Sequence, residues 1–321
     1  MRYKVLYNLP IVIFITILFS SCATVFNSPS QNVRFCTNID AEKITVNNRS
    51  RRLTDGKTTF DVDRRKDPLF IEVKDKDSVY KINIKSRDSF TYLYYAIFTA
   101  GLSTIFERNN PKRYGYRKYI YVEKKGNAIK VYRFAPTPKG TINVNFSLPH
   151  GNDFYINTAE GHKYLWGFFG LSAGADYFYK QNTYLSLQGG AAANLLAPFP
   201  APVKYGGKHE HASAQFVNIR NNHTIHSFDI GYGLSLSRYN WLQHNDDDPL
   251  FVTKETTSSA MGLSLAAQYR ITKNFRMGLL YQPSFFTLDK TSSPISDRNN
   301  YNYQHLLSIE LAFKFMARRG R

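Results

Sequence analysis

The chain has 321 residues, 43% of them hydrophobic and 15% aromatic, with 23 Tyr and 24 Phe against 2 Trp, and a formal net charge of +18. Two domains are the prior at this length, and the charge calls for anionic partners such as nucleic acid, anionic lipid or acidic glycan. Two Cys exclude a disulfide framework, and the aromatic richness favours strands and membrane interfaces.

Residues 1–21 have the layout of a signal peptide. Arg2 and Lys4 give a positive start, Ile11 to Phe19 an apolar core too short to span a bilayer, and Ser20-Ser21-Cys22 a small-residue site. Cys22 after the small pair resembles a bacterial lipobox, with Phe19 where Leu or Val is more usual. The resemblance implies cleavage before Cys22 and its modification with palmitate-type acyl chains, which anchor at about 0.8 kcal/mol per buried CH₂. Ala23 and Thr24 follow, without an Asp to suggest inner-membrane retention, so the expected location is the outer membrane of a Gram-negative bacterium.

Residues 22–138 are expected to form a β-rich periplasmic module. Its strands fall at residues 32–36, 43–46, 58–62, 69–73 and 79–84, with a hairpin-type turn at Asp55-Gly56 and a closing pair at 119–123 and 130–134. Over about residues 22–86, Cys22-Ala-Thr-Val-Phe26, Gly56 to Arg64 and Leu69-Phe-Ile-Glu-Val73 resemble lipoproteins carrying a PEGA-like β-module. That resemblance implies a small binding or spacer domain without catalysis. Cys36 reads as a small core residue. Phe90 to Phe106 reads as a helix packed on the module's sheet, with a helix lying on the membrane as the second reading. The basic stretches at 49–52, 64–66 and 112–118 carry no nucleic-acid recognition motif, so anionic lipid headgroups or cell-wall polymer are the expected partners. Pro136-Thr-Pro138 makes a linker.

Residues 139–316 alternate apolar and small or polar side chains in eight segments, at 142–148, 166–179, 183–195, 212–220, 224–239, 259–271, 275–288 and 305–316. In the fifth, Phe228, Ile230, Tyr232, Leu234 and Leu236 oppose Asp229, Gly231, Gly233, Ser235 and Ser237. Small second-face residues suit a crowded lumen with the apolar face turned to lipid. Long gaps at 149–165, 196–211, 240–258 and 289–304 alternate with tight turns at 180–182, 221–223 and 272–274, as in a transmembrane barrel. Aromatics near segment ends, Trp166, Tyr239 and Trp241 among them, read as interface girdles. In segment count and aromatic-ended last strand the domain resembles eight-stranded outer-membrane barrels of the outer-membrane-protein-A type, with residues 317–321 left as a basic tail. Pro283 requires a bulge inside the seventh strand.

The fold class expected is therefore mainly β: a small N-terminal β-rich module with one helix, then an eight-stranded antiparallel transmembrane β-barrel. Asp176, Asp229, Arg270, Arg276, Glu310 and Lys314 fall on inward faces, where opposite charges should pair into a structural network rather than line a channel. Lys208-His-Glu-His211 and His244 to Asp248 lack a full metal-ligand set. His211-Ala-Ser213 resembles the His-x-Ser pair of barrel-type lipid A deacylases, but the acidic partner is missing. No cofactor and no metal are expected. The leading reading is a non-enzymatic outer-membrane lipoprotein, structural or surface-binding through long external loops. A soluble lipid-tethered ligand-binding β-protein is the second reading, and a lipid-modifying enzyme the third.

Overall fold

The computed structural model describes residues 27–320, apart from 76–77, 94–103, 105–106, 127, 159, 196–206, 246, 248–249, 251 and 289–300. The signal segment and Cys22 lie outside the described residues. The chain divides into two compact units, Met1–Ala135 and Pro136–Arg321. No helix among the described residues is long and apolar enough to cross a membrane, which leaves open a crossing by strands.

The first unit contains β1 (Ser30–Thr37), β2 (Lys43–Val46), β3 (Arg49–Arg52), β4 (Lys57–Asp63), β5 (Leu69–Lys74), β6 (Val79–Ile84), β7 (Arg87–Asp88), β8 (Tyr114–Gly115), β9 (Tyr119–Lys125) and β10 (Ala128–Tyr132). They form one sheet in the order β10-β9-β1-β4, a second in the order β3-β2-β5-β6, and a small β7-β8 pair. Period-two alternation sends Val33, Phe35, Ile44, Phe60, Ile71 and Val122 from both four-stranded sheets into one apolar core. Asp55 and Gly56 both take positive φ (51° and 67°), the mirror-image turn their sequence favours. Asn47 and Asn48 do the same (46° and 66°). That second turn makes Arg49–Arg52 an edge strand, where the sequence suggested only a basic stretch. Cys36 shares its face with Asn32 and Arg34, opposite Val33 and Phe35, so it is half-buried outside the core, contrary to expectation.

The helix expected over 90–106 is described at its start. Phe90–Leu93 is helical, and the Ser89 hydroxyl accepts from the Tyr92 amide at 3.2 Å as an N-cap. Buried Tyr92 lies 4.4 Å beneath the Arg113 guanidinium, which also forks onto Asp88 at 3.0 and 3.2 Å. How the rest of that segment lies falls outside the described residues.

The second unit is a closed antiparallel barrel of β11 (Ile142–Thr158), β12 (Gly161–Lys180), β13 (Thr183–Leu195), β14 (Lys208–Ile225), β15 (Phe228–Asn245), β16 (Lys254–Arg270), β17 (Phe275–Thr287) and β18 (Tyr301–Arg318). β18 pairs back onto β11, so no edge remains. Three sequence readings are corrected. Residues 149–165 do not form a long loop: β11 continues to Thr158 and β12 begins at Gly161. The alternation there is masked by a bulge at Gly151 (φ 73°), after which the faces exchange and Phe154 and Ile156 point inward. The turn expected at 221–223 lies instead at His226-Ser227, with His226 at φ 56°, because Thr224 and Ile225 extend the strand. Tyr239 and Trp241 face the interior, not the girdle. The bulge required by Pro283 is present: its pairing with His305 holds, and the register slips between Ser284 and Phe286.

Neighbouring residues of β5 test the module's packing. Ile71 is 1% exposed and Phe70 52%. Ile71→Ala is expected to cost about 2–5 kcal/mol, whereas Phe70→Ala should stay within about 0.5 kcal/mol. Urea unfolding of the full chain in detergent, followed by near-ultraviolet circular dichroism, measures both.

Candidate functional site

The barrel offers three surfaces on which function can rest: the outer wall, the lumen and the loop end. On the outer wall of β15, Phe228, Ile230, Tyr232, Leu234 and Leu236 are all exposed, and β16 matches them with Met261, Leu263, Leu265 and Tyr269. Nine residues at about 3.3 Å each, tilted about 40°, give a band of roughly 23 Å, close to the apolar height of a membrane barrel. Asn221 and His223 interrupt the band near the tight-turn end. There the Tyr179 hydroxyl donates to Asn221 at 2.8 Å, and Asn221 donates to Tyr232 at 3.3 Å.

The band ends abruptly along one row. Val217, Leu236 and Met261 are register partners on its upper edge, and the next outward rows are Gln215–Arg238–Ser259 and Ser213–Asn240–Thr257. Inside the wall the change runs the opposite way. At the height of the apolar band many inward residues are polar, such as Asn218, Ser235 and Ser264, whereas above it Ala212, Ala214, Tyr239, Trp241, Phe154 and Leu306 form an apolar core. The same strands are apolar-out below and apolar-in above.

The lumen at band height brings together all six residues singled out from the sequence. Asp229 accepts from Arg276 Nε at 2.5 Å and from Thr224 at 2.6 Å. Lys314 Nζ lies 2.8 Å from Asp176 and donates to the Tyr184 hydroxyl at 2.8 Å, 4.3 Å above that ring. Arg270 stands opposite Arg276 in register. Glu310 departs from the expected pairing, since it accepts from neutral groups: Ser147 at 2.5 Å, Gln188 at 3.0 Å and Gln268 at 2.5 Å. Arg220 was missed from the sequence. It is buried, donates to Gln188 Oε1 at 2.5 Å and to Ser264 at 3.3 Å, and was legible because it shares parity with Ala212 and Phe216. Beside Arg220 the wall itself needs glycine: a Cβ at Gly233 would lie 1.9 Å from the Ile219 carbonyl oxygen of the neighbouring strand. Between Arg220, Gln268, Glu310 and Lys314 lies a cavity of ≈ 10 Å³, space for about one water.

At the loop end the interior is closed by charge. Glu210 points inward and takes hydrogen bonds from Lys163 at 3.2 Å, Gln243 at 2.7 Å and Trp241 Nε1 at 3.3 Å. Glu160, in the β11–β12 turn, bonds Lys163 and Lys254. His211 and Ser213 face outward, and their register partners are Leu242, Asn240 and Ala193, none of them a carboxylate. The rings of His209, His211 and His244 lie together, 5.0 and 5.6 Å apart from His209, while Glu210 turns away from them. Among the described residues no group of three or more His, Cys, Asp or Glu is arranged to hold a metal ion.

No protein family and no curated protein sequence matches the chain. Among solved structures it is similar to Neisserial surface protein A (14% identity, 54% of this chain and 97% of that one, TM-score 0.34). It is also similar to the attachment invasion locus protein Ail of Yersinia pestis (9% identity, 55% and 99%, TM-score 0.34). A third likeness is the N-terminal β-barrel domain of Pseudomonas aeruginosa OprF (11% identity, 55% and 98%, TM-score 0.31).

Two outcomes follow from the charges. Arg276→Met strands the buried Asp229 carboxylate and is expected to destabilise the barrel by about 3–5 kcal/mol, with most recovered in the Arg276→Met/Asp229→Asn double variant. Guanidinium unfolding in micelles, followed by far-ultraviolet circular dichroism, measures it. Lys254 and Lys163 hold the Glu160 carboxyl below its ordinary value through hydrogen bonds. A depressed carboxyl stabilises above its unfolded pKa and loses that contribution as pH falls through the folded one. The protection factors of amides at the β11–β12 turn, measured against the intrinsic exchange rate at each pH, should therefore fall below about pH 4.5, and Glu160→Gln should remove that dependence.

Proposed function

We propose that this chain is a non-enzymatic outer-membrane lipoprotein whose eight-stranded barrel spans the bilayer and whose loop end does the binding. The observation that carries the reading is the reversal of wall polarity. A soluble barrel has no reason to expose a band of Phe, Ile, Leu and Met around strands that turn polar one row higher, whereas a bilayer of that thickness requires it. The second reading, a soluble tethered ligand binder, needs a cavity, and the filled lumen argues against it.

The tight-turn end is the periplasmic one in this reading, since turns are short on that side. Residue pairing between Ile142 and Arg318 puts the start of the first barrel strand and the end of the last at that same end. A lipid anchor at Cys22 in the inner leaflet, and a PEGA-like module in the periplasm, are consistent with that connection. The module's partner is an anionic surface, lipid headgroups or cell-wall polymer. Lys43, Arg52 and Lys74 support this: they are paired in register across β3, β2 and β5, three like charges side by side. The lumen charges act as a plug that fixes the barrel, and the His211–Ser213 pair has no chemical role.

The protein extracted in detergent should run faster unboiled than boiled on a denaturing gel, and Cys22→Ala should abolish incorporation of labelled palmitate. Equal mobility, or labelling that persists in the variant, would refute the corresponding half of the reading.

A further inference from the structure

Above the apolar band the outer wall is not uniform. Over β14, β15 and β16 it carries Gln215, Arg238, Ser259 and Asn240. Over β17, β18, β11 and β12, at the same end, it is aromatic. The register sets Asn157 beside His162, Tyr155 between Tyr164 and His305, and Asp153 between Trp166 and Leu307. An interface girdle would encircle the barrel; this is a sector.

The sector is braced from within. Tyr155 stacks on His162 (4.9 Å, 19°) and on His305 (5.5 Å, 19°). Hydrogen bonds join the Tyr281 and Tyr303 hydroxyls at 2.7 Å and Tyr303 to His305 Nδ1 at 2.9 Å, and His305 Nε2 lies 3.6 Å from Asp153. Beside this fixed row Tyr164, tilted 52° to Tyr155, is 75% exposed, and Trp166 is 58% exposed. Two large rings held open to solvent by a rigid backing are a costly surface for a protein to leave uncovered.

We propose that this sector binds the saccharide headgroup of a glycolipid in the surrounding leaflet, a step that rests on the membrane-spanning reading of the barrel. The apolar C–H face of a pyranose ring stacks on Tyr164 and Trp166, and its hydroxyls reach the Asp153 carboxylate, the Asn157 amide and the His162 ring. Three observations choose this occupant. The sector continues downward into exposed Leu148, Leu171 and Ile309, where the acyl chains of the same molecule lie. Its outward charge is the Asp153 carboxylate beside Trp166, which would repel a phosphate, while Lys163 turns inward to Glu210. The wall of a barrel is convex and offers no cage to enclose a quaternary ammonium group.

Trp166 reports on the site, because the only other tryptophan, Trp241, is buried in the interior. Acrylamide quenching of Trp166, taken as the difference between the native protein and Trp166→Phe, is compared in two kinds of vesicle. One is phosphatidylcholine alone; the other is phosphatidylcholine mixed with digalactosyl or monoglucosyl diacylglycerol. Quenching is expected to fall at least about twofold with glycolipid, and Tyr164→Ala to remove the difference while the heat-modifiable band persists. Equal quenching in all vesicles with that band intact overturns this proposal alone. Protection by free digalactose with no added effect of the glycolipid overturns the lipid source. Protection that follows protein density instead of glycolipid content assigns the sector to a second copy and overturns the proposal. Absence of the heat-modifiable band in the native protein brings down the membrane reading and this proposal with it.

Discussion

A strand in hydrocarbon has no water to satisfy its amides and carbonyls, and an unpaired group there costs several kcal/mol, so a sheet that enters a bilayer must close on itself. In this chain the closure is the pairing of β18 with β11, from Ile142–Arg318 to Tyr155–His305. The other features of the barrel are accommodations to that unbroken ladder. Pro283 is kept beside a register slip, and glycines sit where one strand presses on the next, as Gly262 does against the Pro283 carbonyl. The bulge at Gly151 and the slip between Phe168 and Gly170 fall at the upper limit of the apolar band, where each wall changes character.

With the backbone satisfied by the ladder, the side chains are free to follow their surroundings. At band height the wall is apolar outside, and polar groups are gathered inside, where several pair: Asp229 with Arg276, Asp176 with Lys314, Glu310 with Ser147, Gln188 and Gln268. Above the band the interior becomes an ordinary hydrophobic core around Trp241 and Phe154, and the exterior turns polar over β14, β15 and β16. Burying Trp241 with its indole N–H donating to Glu210 joins that core to the charged layer at the loop end. The lumen is thus filled in layers, as the width of eight strands dictates.

The N-terminal unit is organised by a different rule. It is a pair of sheets with one core and outer faces in water, and its outer edge is the arginine-bearing β3. Charged edge strands resist pairing with other chains. Here Arg51 also lies 5.7 Å from the Phe60 ring and bonds the Thr59 carbonyl, both on β4, so the charged edge of one sheet is tied to the edge strand of the other.

Much of this was determined by the sequence alone, because a period of two is a local property. Phe228 to Leu236 against Asp229 to Ser237, the parity of Asp176, Arg276 and Lys314, and the turn at Asp55-Gly56 need only their own neighbours to be read. What the tertiary structure decided is wherever the period breaks or its meaning changes with height. The Gly151 bulge exchanged the faces of β11 and hid a hairpin inside an apparent loop. Tyr239 and Trp241 continue the inward parity of Ser235 and Ser237, but only the end of the apolar band explains why aromatic rings follow serines there. The partners of Glu310 come from β11, β13 and β16, strands brought together only by closure of the barrel. Local alternation fixes which face a side chain takes; what that face meets is set by the closed cylinder and the medium around it.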